Sequence, residues 1–360
     1  MIHGFLNDLV LSYSRDRIFA MLAISSDSMQ LGITPDYSKS PKQLFLDVSV
    51  SFLLCRKDTS ALTLACLTDN LSDLTGVSWS IASPRLERFR SSAIASNVFT
   101  PHPNSNNPQR NPRFHTDETN SIITLTGSIV DHISLTTPPL YTPKSFVTGR
   151  MDRDYLDFCI LLLKSMSEVL SNLGISAESA AALGLASVAN PKWKPTPGRG
   201  SLTQRTAYHF WCYYRFVCKS IKEYSQQIGF DLEDNITSQF DHVIETLAPL
   251  LLETDLDTFS LAGSLSAAEL DATSCIGENM LHQGRSFCTT KQGRICNCMN
   301  KIEAEDVIAA FRGADRLYVL RPAEGGRYRL VGGAYVHGLM FGEAYEGLDP
   351  DKVDYDIELI

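Results

Sequence analysis

The hydrophobic period of this chain changes about two-thirds of the way along, and that change limits the folds open to it. Between residues 155 and 247 apolar residues recur every three or four positions. Cys159, Leu163, Met166, Leu170 and Leu173 make one stripe. Phe210, Tyr214, Val217, Ile221, Tyr224 and Ile228 make a second, and Ile236, Phe240, Val243, Ile244 and Leu247 a third. These are amphipathic helices. Gly174 and Gly229 supply stops, and Pro249 is expected to kink or end the third helix. From residue 285 the apolar runs shorten. "RSFCTTKQGRICNC", "DVIAAF", "RLYVLRP" and "RYRLVGGAYVHGLM" read as short strands with turns at "EGG" and "GG". Helices and strands are segregated rather than alternating, so the expected class is α+β: a helical body with a small C-terminal antiparallel β unit.

The rest of the chain fits around that division. "SRDRIFAMLAIS" (14–25) places Ile18, Met21 and Leu22 on one helical face. A second helix has a clear start: Ser40 as N-cap, Pro41 in the first position and Gln43 completing a capping box. Leu44, Val48, Phe52 and Cys55 form its stripe. Residues 84–120 are rich in Pro, Asn and Arg and show no period, which reads as a flexible loop. "SIITLTGSIVDHISL" (121–135) reads as one strand, or two with a turn at Gly127. The expected organisation is therefore an N-terminal helical segment (1–83), the loop (84–120), a strand followed by the helical body (121–284), the β unit (285–345) and an acidic tail (346–360).

Charge and composition exclude some classes of function. The net charge is −9, so the surface as a whole repels nucleic acid and anionic membranes. No apolar run approaches the roughly 18 residues that span a bilayer. The start has neither a basic n-region nor a cleavage-site pattern, so the expected location is cytoplasmic, with the nucleus open. In that setting the nine cysteines are expected as reduced thiols.

Three stretches could carry chemistry. Cys275, His282, Cys288, Cys296 and Cys298 suggest zinc, but no C-x-x-C pair occurs and C-x-C suits a tetrahedral site poorly. "PGRGS" (197–201) lacks the spacing of a phosphate loop. "AYVHGLMFGEA" (334–344) holds His337 and Glu343. On a regular strand Tyr335, His337 and Leu339 share a face, which suits a half-buried imidazole held by one hydrogen bond. Gly338 and Gly342 bend the chain and put Glu343 in or beyond a turn, where nothing fixes it against the histidine. The reading is structural: no catalytic, cofactor-binding or metal residue is assigned, and no cofactor is expected. The alternative is an enzyme or metal-binding protein using the Cys-rich turn with His337 and Glu343.

The same residues carry a resemblance. "RSFCTTKQG" (285–293, with Arg285 and Gly293), "EDVIAAFRG" (305–313, with Asp306 and Gly313) and "LYVLRP" (317–322, with Leu320, Arg321 and Pro322) occur in family order. "YRLVGGAYVHGLMFGEA" (328–344) follows, with Gly332, Tyr335, His337, Gly338, Gly342 and Glu343. Toward the start lie "SRDRIFAMLAISSD" (14–27, with Arg15 and Asp16) and "ITPDYSKSPKQLFLDVS" (33–49, with Pro35, Asp36 and Tyr37). "GVSWSIA" (76–82, with Trp79) and "ITLTGSIVDHI" (123–133, with Asp131) complete the set. The chain resembles the downstream region of fungal heterokaryon-incompatibility (HET-domain) proteins. The Tyr-x-x-Leu-Ser-Tyr-x-Trp motif of the N-terminal HET domain is not found, and Gly333 stands where the family has Glu. The resemblance implies a role in allorecognition and cell-death signalling, with a protein partner rather than a substrate. Partner identity and oligomeric state are left open. It also gives Arg15 an expected role, tying the first helix to the turn at Asp36.

Overall fold

The structure, a computed structural model, describes residues 16, 18–20, 32–56, 59–66, 76–80, 99–103, 114–117, 121–143, 145, 151–189, 201–252, 283–299 and 302–360. They fall into two compact units. The first comprises residues 1–132, 305–334 and 338–360, the second 133–304 and 335–337. Each unit draws on distant stretches of the chain.

The first unit contains helices α1 (Pro41–Arg56) and α2 (Ser60–Cys66). Ser40 caps α1 as its side chain demands: Ser40 Oγ accepts from Gln43 N at 3.2 Å. Gln43 does not reach back to complete the box; its amide bonds Asp47 at 2.8 Å. Strand β1 (Phe114–Thr116) lies within the stretch expected as a loop, paired with β2 (Ile123–Thr136). β2 belongs to the first unit as far as His132.

The short strands β6 (Val307–Phe311), β7 (Leu317–Pro322) and β8 (Tyr328–Val336) follow, and residues 346–360 form helix α7 (Pro350–Val353) and strand β9 (Tyr355–Leu359). β2 pairs with β6, β6 with β7 and β7 with β8, all antiparallel. β9 pairs antiparallel with β2 and parallel with β8. That sequence of pairings closes on itself, so the first unit is built on a five-stranded barrel with no free edge along the closing strand. The expected acidic tail is therefore the strand that completes the barrel. Acidic composition hid the alternation: Ile357 and Leu359 are buried while Asp356 and Glu358 face out.

One face of these strands forms an apolar cluster. Leu125, Val307, Ala309, Phe311, Tyr318, Leu320, Ile357 and Leu359 pack together, joined by Leu46 and Leu53 of α1 and by Trp79. The other face of α1 sends Leu44, Phe45 and Val48 against Ile18 and Phe19. A helix buried on two faces explains why a single stripe described it incompletely.

The second unit holds helices α3 (Arg153–Leu173), α4 (Ala177–Val188), α5 (Leu202–Gln227) and α6 (Asp234–Leu252). Gly174 and Gly229, with φ of 86° and 65°, stand just past α3 and α5, as read. Pro249 falls in the last turn of α6, where it removes one hydrogen bond and lets the helix run on to Leu252. α4 was not legible as a stripe because nearly every side is buried. Its start is marked by a box in which Ser179 substitutes for the usual Glu or Gln opposite Ser176. Strands β3 (Leu140–Tyr141), β4 (Gln283–Thr290) and β5 (Ile295–Met299) form an antiparallel ladder with the last residues of β2. The α+β class is thus observed, with the strand at 121–133 joining the sheet.

Gly127 is not a turn. β2 runs through it, paired with Phe311 and Tyr355 on its two sides. A Cβ at this position would run into the Ala310 carbonyl oxygen and sit 2.9 Å from Phe311 Cα. The glycine is there for close strand approach. Gly127→Ala should destabilise the chain by on the order of 1–3 kcal/mol, the usual range for overpacking, read as a lower urea midpoint with unchanged slope. An unchanged midpoint would show that β2 and β6 can part at no cost.

Candidate functional site

The residues singled out in the sequence are mostly framework. Asp306 and Arg321 meet as a two-pronged ion pair, both bonds at 2.9 Å, across the start of β6 and the end of β7. The Asp306 side chain is buried, so the pair joins two strands out of water. Leu320 and Trp79 lie in the barrel core. Gly332 and Gly333 lie within β8 rather than in the expected turn, and Gly332 sits beside an irregularity in the β7–β8 ladder between Val319 and Leu320. Gly293 and Gly313 take positive φ in the turns after β4 and β6. Pro322 ends β7, and Arg285 is buried on β4. Asp131 is buried on β2, and its carboxylate accepts its own neighbour's N–H, from His132, at 2.8 Å.

The "PDYS" turn is organised by its own residues. Asp36 accepts from Ser38 N at 2.9 Å and Ser38 Oγ at 2.6 Å, and the hydroxyl bond, with the backbone one, lowers its pKa. Tyr37 packs edge-on against Phe19 at 4.8 Å, and its hydroxyl lies 3.3 Å from Asp16. Pro35 is exposed. Arg15 lies outside the described residues; the tie between the first helix and this turn that the structure does place runs through Asp16 and Tyr37.

His337 and Glu343 fall differently from the strand reading. β8 ends at Val336, and His337 with Gly338 forms a turn in which Gly338 has φ 80°. Tyr335 and Leu339 are therefore not strand neighbours of the histidine, because the backbone reverses between them. His337 is half-buried, and its N–H donates to Ile295 O at 2.9 Å. Gly342, with φ 93°, opens the turn that carries Glu343, as expected. The Glu343 carboxylate is held rather than mobile: it accepts from Phe341 N at 2.7 Å.

A polar centre that sequence reasoning missed lies within the first unit. The Asp354 side chain has no exposed surface, and neither has His102. Four side chains converge on this one carboxylate. His102 Nε2 is 2.9 Å from Oδ2 and Arg312 Nε is 2.6 Å from it. Ser128 Oγ and the Tyr345 hydroxyl reach Oδ1 at 2.8 and 2.9 Å. Arg312 also holds Asp351 at 2.9 Å and Pro350 O at 3.2 Å, and the Tyr345 ring stands edge-on to His102 at 4.7 Å. Burial raises the Asp354 carboxyl, but the hydrogen bonds from His102, Ser128 and Arg312 outweigh it and hold the group at about 2.

The parts resemble an acid–base site; the wiring does not. In a nucleophile–base pair the serine bonds the histidine. Here serine, histidine, tyrosine and arginine all meet at the carboxylate. The centre is a clamp where β2, the turn after β6, the turn at 102 and the α7–β9 segment meet. Four of the described cysteines are equally unsuited to chemistry. Burial pushes the Cys66 and Cys159 thiols up to about 12 and Cys218 to about 11. A hydrogen bond with Cys288 pulls Cys298 down, but its bond with Cys296, together with burial, carries it well above the usual range. Cys275 and His282 lie outside the described residues. Among the described residues no group of three or more His, Cys, Asp or Glu is arranged to hold a metal, and no helix is long and apolar enough to cross a membrane.

Residues 249–351 match the Het-6 beta-barrel domain. The match, which covers less than a third of the chain, supports relation to a fungal heterokaryon-incompatibility family. It runs from the end of α6 through β4–β8 to the first residues of α7. β2 and β9, which close the five-stranded ring of the first unit, lie outside the matched range. No curated protein and no solved structure matches this chain.

The clamp has a pH signature. A folded-state pKa near 2 against an ordinary 3.8 gives stability that is present above about pH 4 and lost as pH falls through about 2. The difference corresponds to on the order of 2 kcal/mol. Asp354→Asn should remove this part of the acid slope between pH 5 and 2. It should also cost on the order of 1–3 kcal/mol at neutral pH, because Arg312 keeps Asp351 but loses its charge-assisted bond to the buried carboxylate. Parallel stability–pH curves for the two proteins would contradict the assignment.

Proposed function

We propose that this chain is a non-enzymatic interaction or regulatory module of heterokaryon-incompatibility type, acting in fungal allorecognition and cell-death signalling through a protein partner. The observation that carries the reading is the match of residues 249–351 to the Het-6 beta-barrel domain. The chemistry of the described residues supports it: the buried His102, Ser128 and Tyr345 all bond one carboxylate, and the Cys66 and Cys159 thiols titrate far above neutrality. The cell compartment proposed is the cytoplasm, with the nucleus open. An enzyme built on His337, Glu343 and the Cys-rich turn would need a reactive thiol or an oriented imidazole. Glu343 is instead committed to its own turn.

Expression of the full chain in fungal strains of unlike type, followed by counting viable fusion cells, tests the role. The reading expects a changed frequency of death after fusion and a specific protein recovered with the tagged chain. Unaltered fusion outcomes would overturn it. His337→Gln should leave the fusion effect intact wherever the protein still folds, whereas a folded variant without effect would give the histidine a chemical role.

Thiol chemistry separates the two readings in vitro. Of nine cysteines, Cys66, Cys159, Cys212, Cys218, Cys288, Cys296 and Cys298 are buried as free thiols. A buried, high-pKa thiol reacts slowly. These seven should resist rapid labelling by an aromatic disulfide reagent in the native chain and react on unfolding. Fast native labelling of any of the seven would favour the enzyme.

A further inference from the structure

The segment that closes the barrel is acidic, and its seat is not. Between Asp349 and Ile360 stand five carboxylates and a single lysine, Lys352. Four of the five meet donors on the rest of the first unit. Arg312 takes Asp351 and, with His102, Asp354; Thr126 takes Asp356 at 2.9 Å; Arg327 takes Glu358 at 3.0 Å. Ile357 and Leu359 are buried in the apolar cluster of the first unit. The backbone is held on two sides, by β2 and β8, and Ile360 is held at its carbonyl by Ser78 and at its N–H by Tyr328 O at 2.9 Å. Without the segment, the unit would offer an extended strand two sheet edges, two apolar seats and a row of donors matched to carboxylates. This is the anatomy of a strand-addition site that reads an acidic sequence.

The connection to the segment is a surface turn. Glu346, Gly347 and Leu348 are exposed, and Gly347 has φ 74° with nothing near the place of a Cβ. Such a turn can open without disturbing a core. We propose that the groove between β2 and β8 is an exchangeable strand site, and that it takes residues 349–360 of a second copy of this chain in place of its own. The matching charges make a second copy the fitting occupant, since its segment repeats every contact in the same register. Exchange then costs no contact, and concentration and the turn at 346–348 set the balance. The proposal is independent of the biological role given above.

The test uses the full chain, as wild type and as Asp354→Asn, with a fluorescent synthetic peptide of residues 349–360. The variant weakens the hold on its own strand while leaving His102, Arg312, Ser128 and Tyr345 in the groove. The peptide should load onto the variant roughly tenfold or more faster than onto wild type. A scrambled peptide, or one carrying Asn at 354, should not. Where Asp354→Asn fails to fold, Glu358→Gln, which alters an exposed pair with Arg327, takes its place with a smaller gain. A second arm mixes two full-length copies bearing different tags. Strand exchange makes them co-purify after prolonged mixing at high concentration, and excess peptide abolishes it. Uptake no better than that of the scrambled peptide overturns the groove. Copies that never co-purify, or that co-purify unaffected by the peptide, overturn the second copy as its occupant.

Discussion

A buried carboxylate with four hydrogen-bonding partners holds the first unit together. Asp354 stands between α7 and β9, and without it the last strand would have to stay in the barrel on backbone pairing, two apolar side chains and the exposed pairs of Asp356 and Glu358. Short strands are marginal on those terms. The clamp offsets the deficit by fixing the entry to β9 in all directions: His102 from one side, Arg312 from the β6–β7 turn, Ser128 from β2 and Tyr345 from the preceding turn. An isolated carboxylate in such a place would be costly; one with charged and neutral donors on both oxygens stays ionised far into acid.

Much else follows from a closed barrel. β2 must lie close to β6 on one side and β9 on the other, which requires Gly127. β8 must pair with both β7 and β9, and the irregularity at Gly332 adjusts its course. The Asp306–Arg321 pair secures the strand ends opposite the turn at Gly313. The residues singled out in the sequence thus serve the scaffold: they set turns, bulges and strand ends.

The parts legible in the sequence were those decided locally. Ser40, Gly174 and Gly229 act within one turn of their helices, so their types alone identified the boundaries. The strands from 285 onward were legible because their turns carry glycines. What failed depended on distant residues. Gly127 looks like a turn until β6 lies beside it. α4 shows no stripe because it is buried on nearly every side. The last strand read as a tail because charge drew attention away from Ile357 and Leu359. The clamp could not be read at all: residues 102, 128, 312, 345 and 354 come together only when the ring closes, and His102 lies in a stretch whose Pro and Asn content suggested a loop.

The most direct measurement of this account is the titration of the Asp354 carboxyl itself, followed by carbon NMR of the full chain with labelled aspartate, assigned by the Asp354→Asn variant. The clamp predicts a midpoint at about 2, with no change of signal between pH 7 and 4. A carboxyl that titrates near its ordinary value of 3.8 would mean that His102, Arg312, Ser128 and Tyr345 do not converge on it, and that the barrel is closed by something else.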